Sequence, residues 1–351
     1  MHKINPRVNP LIIRLQNMDF WYWSQYFVDI YQDCPYRCCY CNTQKYKNLK
    51  GYSFVPSLPE KNEVIGLGLL CDIYGHDTGG NERIRNILGF LDKNQYRVNI
   101  VTKSDMIIRD MDLLKQLSKK GHLRVTFTLL TLDDTLSLKL EGNAPGPARR
   151  LKALSTLRSE GIDAGVAVTP IIPCVNDDEK ELTRLVKVSK DMGARWVLFS
   201  GFNPVRSFLG NPVWAESAEL HTEKKNLDKH YSRIKKFMIK LLIQENLPFR
   251  IPRITLNAFD RKYYSNLVSE YLFNISYLYE LMSNEMEMLR YRRAAYKING
   301  IIESLKYKVF TNKLGSIRGI NPEIERTIEE IILNDSSTFY SDLNKKIAVG
   351  V

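Results

Sequence analysis

From about residue 26 onward, short apolar or β-branched runs alternate with longer stretches whose apolar residues recur at helical spacing. Six runs read as strands, at residues 27–31, 64–70, 97–101, 124–129, 164–168 and 195–199. Between them lie three stripes: Leu113, Leu114 and Leu117; Leu151, Leu154 and Leu157; Leu182, Leu185 and Val186. Steps of three and four residues put each stripe on one face of an amphipathic helix. Gly121 and Gly161 stand where the first two of these helices should end. Six strand–helix units predict parallel strands joined by right-handed crossovers and buried on both faces. Residues 25–205 therefore read as an α/β core, either an open barrel or a doubly wound sheet. In both, ligands collect at the C-terminal ends of the strands, so the residues just after each strand matter most.

The flanks differ. Residues 1–24 read as a lead-in, and residues 206–351 as a mainly helical extension. Within the extension, residues 224–243 show helical spacing with basic residues outward, and residues 263–305 are rich in Tyr, Leu, Met and Glu. Asn246-Leu247-Pro248-Phe249-Arg250-Ile251-Pro252 punctuates the two. With 44% hydrophobic and 26% charged residues among 351, the composition is that of an ordinary globular protein and argues against wholesale disorder. No apolar run approaches the ~18 residues that would span a bilayer, and the first residues show no secretory pattern. A cytoplasmic protein without membrane contact, with reduced thiols, is the expectation. Lys+Arg 51 against Asp+Glu 39 leaves a net charge of +12, which makes nucleic acid a candidate partner. The charge is diffuse, however, and solvated helix faces explain it equally well.

Cysteine spacing changes the picture. Cys34, Cys38 and Cys41 form C-x3-C-x2-C directly after the first predicted strand. Three thiolates so close in sequence suit three corners of an iron–sulfur cube. A structural zinc site would want a fourth ligand, usually in separated pairs, and neither a nearby fourth cysteine nor a histidine pair supplies it. One iron would be left open for a substrate. Cys39 falls outside the pattern.

This spacing, with Tyr40 before the last cysteine and six β/α units around it, resembles the radical S-adenosylmethionine superfamily over residues 25–205. The resemblance implies a partial six-fold β/α barrel of the radical type, a [4Fe-4S] cluster held by Cys34, Cys38 and Cys41, and S-adenosylmethionine chelated at the open iron. Reductive cleavage would give methionine and a 5′-deoxyadenosyl radical that abstracts hydrogen from a substrate. A low-potential electron donor of flavodoxin or ferredoxin type is implied too.

Further segments look like the spore photoproduct lyase group: Leu69-Leu70-Cys71-Asp72, Val101-Thr102-Lys103-Ser104, Phe127-Thr128, Glu141-Gly142-Asn143-Ala144-Pro145, Arg149-Arg150 and Val168-Thr169-Pro170 occur in that order. The resemblance implies cofactor contacts from Tyr40, Asp72, Lys103, Thr128 and Arg150. Lys103 would neutralise the cofactor carboxylate, and Arg150 would reach it or pair with Glu141. Ordinary roles compete with these: a solvated lysine, a strand-favouring threonine, and a helix N-cap for Asp72. Two departures argue against thymine-dimer repair. Leu69 and Asn42 stand where the archetype has its hydrogen-relay cysteine and tyrosine. Cys71 and Cys174 are the candidate replacements, as radical quenchers, covalent acceptors or metal ligands, against the reading as small buried hydrophobes. His76 with Asp77 could do acid–base work or be polar surface.

The sequence thus predicts a radical enzyme with an undetermined substrate, nucleic acid being one class and a peptide or protein another. In the extension, Tyr291 within residues 290–293, Lys297, Lys306 and Lys308 could stack bases and hold phosphates, or simply pack helices together. From a different functional class, a non-catalytic iron–sulfur redox or sensing module is the alternative, and a zinc-binding structural protein the last. The oligomeric state is not encoded in any of these features.

Overall fold

A computed structural model describes residues 11–19, 21–31, 33–41, 52–59, 63–68, 71–76, 82–211, 214, 218–254, 262–301 and 303–349. Asn42, Leu69, Leu70 and Asp77 lie outside the described residues. The chain divides into two compact units, Met1–Ile254 and Thr255–Val351.

The first unit is built on eight strands: β1 (Leu11–Asp19), β2 (Ser24–Asp29), β3 (Tyr52–Phe54), β4 (Val64–Leu67), β5 (Arg97–Thr102), β6 (Leu123–Thr128), β7 (Ala164–Ile171) and β8 (Val197–Gly201). They form one sheet in the order β3-β1-β2-β4-β5-β6-β7-β8. From β2 to β8 every pairing is parallel, whereas β1 runs antiparallel to both β2 and β3. All six predicted strands are present, as β2 and β4–β8. Their spatial order follows their chain order, so every crossover advances in the same direction. A doubly wound sheet reverses at a switch point; this one does not. The winding is that of a partial β/α barrel.

The predicted leucine stripes are the buried faces of the crossover helices. Between β4 and β5 lies α1 (Glu82–Lys93), and between β5 and β6 lies α2 (Met111–Lys119), which buries Leu114 and Leu117 completely. Two helices, α3 (Asp134–Glu141) and α4 (Pro147–Ser159), follow β6. Asp133 caps α3 by accepting from the Leu136 N–H, and Pro147 starts α4 where its missing N–H costs nothing. Between β7 and β8, α5 (Glu179–Asp191) is capped by Asp178 and buries Leu182, Leu185 and Val186. Truncating any one of these core leucines to alanine should cost about 2–5 kcal/mol. After β8 come the short helices α6 (Arg206–Leu209) and α7 (Ala218–Thr222), then the long α8 (Lys224–Gln244).

The segment read from sequence as punctuation closes the N-terminal ends of the strands. Trp23, just before β2, donates its indole N–H to the Ile251 carbonyl at 2.8 Å, and the Val197 N–H at the start of β8 donates to the Pro248 carbonyl at 2.9 Å. Arg250 lies 4.8 Å and Arg253 5.1 Å from the Trp23 ring centre. The opposite, C-terminal ends hold the candidate site.

The second unit is all helical among its described residues. Its longest pair, α9 (Tyr263–Leu281) and α10 (Glu285–Asn299), is joined at Asn284, which caps α10 through the Glu287 N–H. Ser276 donates to the Met288 carbonyl at 3.0 Å, and Arg292 pairs with Glu280 at 2.6 Å, pinning the two helices together. Helices α11 (Leu305–Phe310), α12 (Pro322–Asn334) and α13 (Thr338–Val349) complete the unit. Tyr291 is fully buried, stacks against Phe339, and donates its hydroxyl to Glu323 at 2.9 Å. Of the two roles open to it, the structure selects helix packing. No described helix is long and apolar enough to cross a membrane.

Candidate active site

The cysteine loop leaves the end of β2 and runs over the turn after α3. The Cys39 N–H donates to the Leu140 carbonyl at 2.9 Å, so the loop takes up a carbonyl at the end of that helix. Asn143 returns two bonds, its N–H to the Tyr36 carbonyl and its side-chain amide to the Pro35 carbonyl, both at 3.3 Å. Gly142 makes this docking possible. Its φ is +55°, and a Cβ there would meet the Tyr36 carbonyl oxygen at 2.6 Å. Within the loop, the Cys41 N–H to Cys38 carbonyl bond of 3.1 Å closes a tight turn around Tyr40.

The three pattern cysteines are half-buried and not disulfide-bonded. Their electrostatic settings differ. The Cys71 thiol lies against Cys34 and 2.8 Å from the Asp33 carbonyl oxygen. Its hydrogen bond, aided by the Asp72 and Tyr36 N–H groups and opposed by burial, draws the Cys34 thiol down to about 6. That same bond to Cys34, with burial, pushes Cys71 up. Burial pushes Cys38 up to about 12, against the pull of Lys103. Among the described residues, no three His, Cys, Asp or Glu side chains converge as ligands of a single metal ion. A cubane cluster takes each thiolate on a separate iron, so its ligands need not share one ion.

Around the loop, the strand ends carry the charged groups the sequence singled out. Asp72, after β4, is fully engaged: its Oδ1 accepts from the Thr102 hydroxyl at 2.8 Å and the Tyr74 N–H at 3.0 Å, and its Oδ2 from the Lys103 N–H at 2.6 Å. It ties the end of β4 to the end of β5 and caps no helix. Burial raises its pKa against those donors. Thr128 ends β6 and is buried, and its carbonyl accepts from Arg150 Nη1 at 2.9 Å. Arg150, on α4, also donates from Nε to the Pro145 carbonyl at 2.6 Å and stands 2.5 Å from Glu141 Oε2. Lys103 Nζ lies 3.9 Å from Glu141 Oε1 and 5.8 Å from the Tyr40 ring centre. Burial opposes its charge, but Cys38 and Glu141 more than offset this and raise it. The Tyr40 hydroxyl donates to Glu141 Oε1, and burial together with that carboxylate holds the phenol well above its ordinary pKa.

Tyr40, Lys103 and Arg150 therefore meet, and they meet at Glu141. The sequence offered Glu141 only as a partner for Arg150. One signal was available: it is an acid in the last position of a helix, where the macrodipole disfavours negative charge. Asn176 was not foreseen at all. It accepts from the Ile172 N–H at 2.7 Å and donates to the Leu130 and Pro170 carbonyls at 3.1 and 3.2 Å, bracing the loops after β6 and β7. The remaining candidates divide. Cys71 is buried beside Cys34, whereas Cys174 is exposed and adopts φ +60°. His76 is drawn to the cysteine loop, with Nε2 2.8 Å from the Asp33 carbonyl oxygen and its ring 4.7 Å from that of Tyr31.

The donor set suits the implied groups: three thiols on one loop for an iron–sulfur cluster, and beside them a buried guanidinium and a half-buried ammonium for a carboxylate. Arg150 Nη2 is buried and makes no hydrogen bond among the described residues. A buried guanidinium N–H without an acceptor is a costly feature that a bound anion would relieve.

No family model matches the chain. It is similar to an uncharacterized protein of Methanocaldococcus jannaschii, with 31% identity over 169 residues, covering 44% of this chain and 64% of that protein. An uncharacterized protein of Mycobacterium tuberculosis is 25% identical over 200 residues, covering 51% and 59%. The chain thus matches less than two thirds of the length of either relative. Among solved structures, spore photoproduct lyase complexed with dinucleoside spore photoproduct superposes with a TM-score of 0.42 and 15% identity over 59% of this chain and 70% of that one. Streptococcus suis SuiB bound to S-adenosylmethionine gives 0.36 and 13% over 52% and 36%.

Proposed function

We propose that the protein is a radical S-adenosylmethionine enzyme. The observation that carries this reading is the C-x3-C-x2-C loop at the C-terminal end of a parallel strand, set beside the half-buried Lys103 and the buried Arg150. In this reading Cys34, Cys38 and Cys41 hold a [4Fe-4S] cluster. Arg150 Nη2 and Lys103 Nζ take the cofactor carboxylate, with Tyr40 and Thr128 lining its place. Asp72 sets the backbone of Lys103. When bound, the cluster and cofactor supply reductive carbon–sulfur cleavage and hydrogen-atom abstraction, with one electron from a low-potential donor of flavodoxin or ferredoxin type. The protein's own part is to place the thiols, neutralise the carboxylate and exclude water.

The uneven charge favours a nucleic-acid substrate over a peptide. Residues 1–254 carry 38 Lys and Arg against 27 Asp and Glu, whereas residues 255–351 carry 13 against 12. The excess belongs to the unit that contains the candidate site, a charge that would draw a polyanion.

Anaerobic reconstitution with iron and sulfide, followed by dithionite and S-adenosylmethionine, tests the activity. Methionine and 5′-deoxyadenosine are expected. A bound cluster without either product would favour the redox or sensing module, and a colourless protein holding zinc alone would favour a structural role. With substrate-deuterated nucleic acids and peptides, label in 5′-deoxyadenosine identifies the class.

A further inference from the structure

Glu141 is 1% exposed, yet three polar groups from three separate segments reach its carboxylate. Tyr40 comes from the cysteine loop, Lys103 from the end of β5, and Arg150 from the first turns of α4. Burying a carboxylate costs several kcal/mol, and only well-placed partners offset this. The partners here are the loop's own tyrosine and the two cations assigned above to the cofactor carboxylate. Backbone bonds from Cys39 and Asn143 anchor the loop's middle and first half to the end of α3. Its last turn, from Cys38 to Cys41, thus has a backbone anchor at Cys39 and a second, side-chain attachment to the carboxylate through the Tyr40 hydroxyl.

We propose that Glu141 is a positioning residue. Beside the Cys39 backbone bond, it holds the Cys38–Cys41 turn through Tyr40 and sets that turn relative to Lys103 and Arg150, so one side chain links thiol spacing to cation placement. It touches no reacting atom. The role assigned to the turn rests on the radical-enzyme reading; the tether itself does not.

The test uses the full-length, metal-free chain and its Tyr40→Phe, Glu141→Gln and Glu141→Ala variants. Iodoacetamide alkylation of each cysteine is followed by mass spectrometry, with exposed Cys174 as the internal reference. Tyr40→Phe and Glu141→Ala should raise alkylation of Cys38 and Cys41 by about tenfold relative to Cys174, as expected from losing one charge-assisted hydrogen bond. Cys34, held by Cys71 and the Asp72 N–H, should change little. Glu141→Gln keeps an oxygen for the Tyr40 hydroxyl and should stay within about threefold of the parent. In reconstituted protein, loss of iron to a chelator should follow the same order. An unchanged Tyr40→Phe profile would overturn the proposal, as would Glu141→Gln behaving like Glu141→Ala, or all cysteines rising together as in general loosening. If Glu141→Ala does not fold, Tyr40→Phe still decides. Failure of the parent protein to take up a cluster would refute the radical-enzyme reading, while the alkylation result would still judge the tether.

Discussion

Arg150 Nη1 stands 2.5 Å from Glu141 Oε2, and each residue is only 1% exposed. The two come from α4 and α3, joined by the five-residue turn 142–146. Breaking a buried pair by removing one member is far more damaging than replacing both, because it strands a desolvated charge. Arg150→Ala should therefore lower unfolding stability by about 3–5 kcal/mol. Arg150→Met combined with Glu141→Leu should cost clearly less than Arg150→Ala alone. Urea unfolding measures both, and a double variant no better than the single would contradict this account of the pair.

Cys34→Ala, Cys38→Ala and Cys41→Ala should each abolish cluster retention, read as iron and sulfide per chain and as visible absorbance. Cys39→Ala should not. The Cys39 side chain packs against the apolar cluster that contains Leu130, Leu140, Phe202 and Phe208, and its backbone N–H bond to Leu140 is one that alanine retains. Loss of the cluster in Cys39→Ala would show that the ligand assignment is wrong.

How far the sequence could be read depends on how far apart the interacting residues lie. The parallel strands were legible because each is an apolar run buried on both faces, a property of the run itself. Strand β1 was not, since among its described side chains only Ile12 and Ile13 are deeply buried, and it pairs antiparallel with β3 and, across a register shift, with β2. Lys103 and Arg150 were legible as strand-end and helix cations, but their convergence on Glu141 was not: Tyr40 and Glu141 are 101 residues apart. Tyr291 shows where local reading leaves two roles open. Its basic neighbours suggest a stacking platform, and only the distant Glu323 and Phe339 reveal that it is core.

Two glycine substitutions should move stability in opposite directions. At Gly142 the backbone stands at φ +55° and ψ −112°, outside the ordinary range of L-residues, and an added Cβ would strike the Tyr36 carbonyl oxygen. Gly142→Ala should cost about 1–3 kcal/mol and displace the cysteine loop, with reduced iron retention. Gly89 lies inside α1 and an added Cβ meets nothing within 4 Å. Gly89→Ala should stabilise by about 0.5–1 kcal/mol and leave iron retention unchanged. Thermal or urea unfolding of the two variants side by side is the measurement. Equal effects would mean that the close approach at Gly142 is not as described.

The Cys34–Cys71 contact has a pH signature in the metal-free chain. The hydrogen bond from Cys71 is the largest cause that draws Cys34 down to about 6 from the thiol value of 9.0. A depressed thiol stabilises the fold in full above the unfolded value near 9, and this contribution is lost as pH falls through about 6. Alkylation requires the thiolate, so the rate at Cys34 should rise with a midpoint near pH 6, leaving the residue mostly thiolate at neutral pH. Cys71→Ala removes the donor. The midpoint should then climb towards the ordinary thiol value, and the rate at pH 7 should fall by about tenfold or more. Cys174 again serves as reference, being exposed and not drawn into this pair. If the Cys34 midpoint stays near 6 in Cys71→Ala, the Asp72 and Tyr36 N–H groups alone must hold the thiolate, and Cys71 has no part in tuning it.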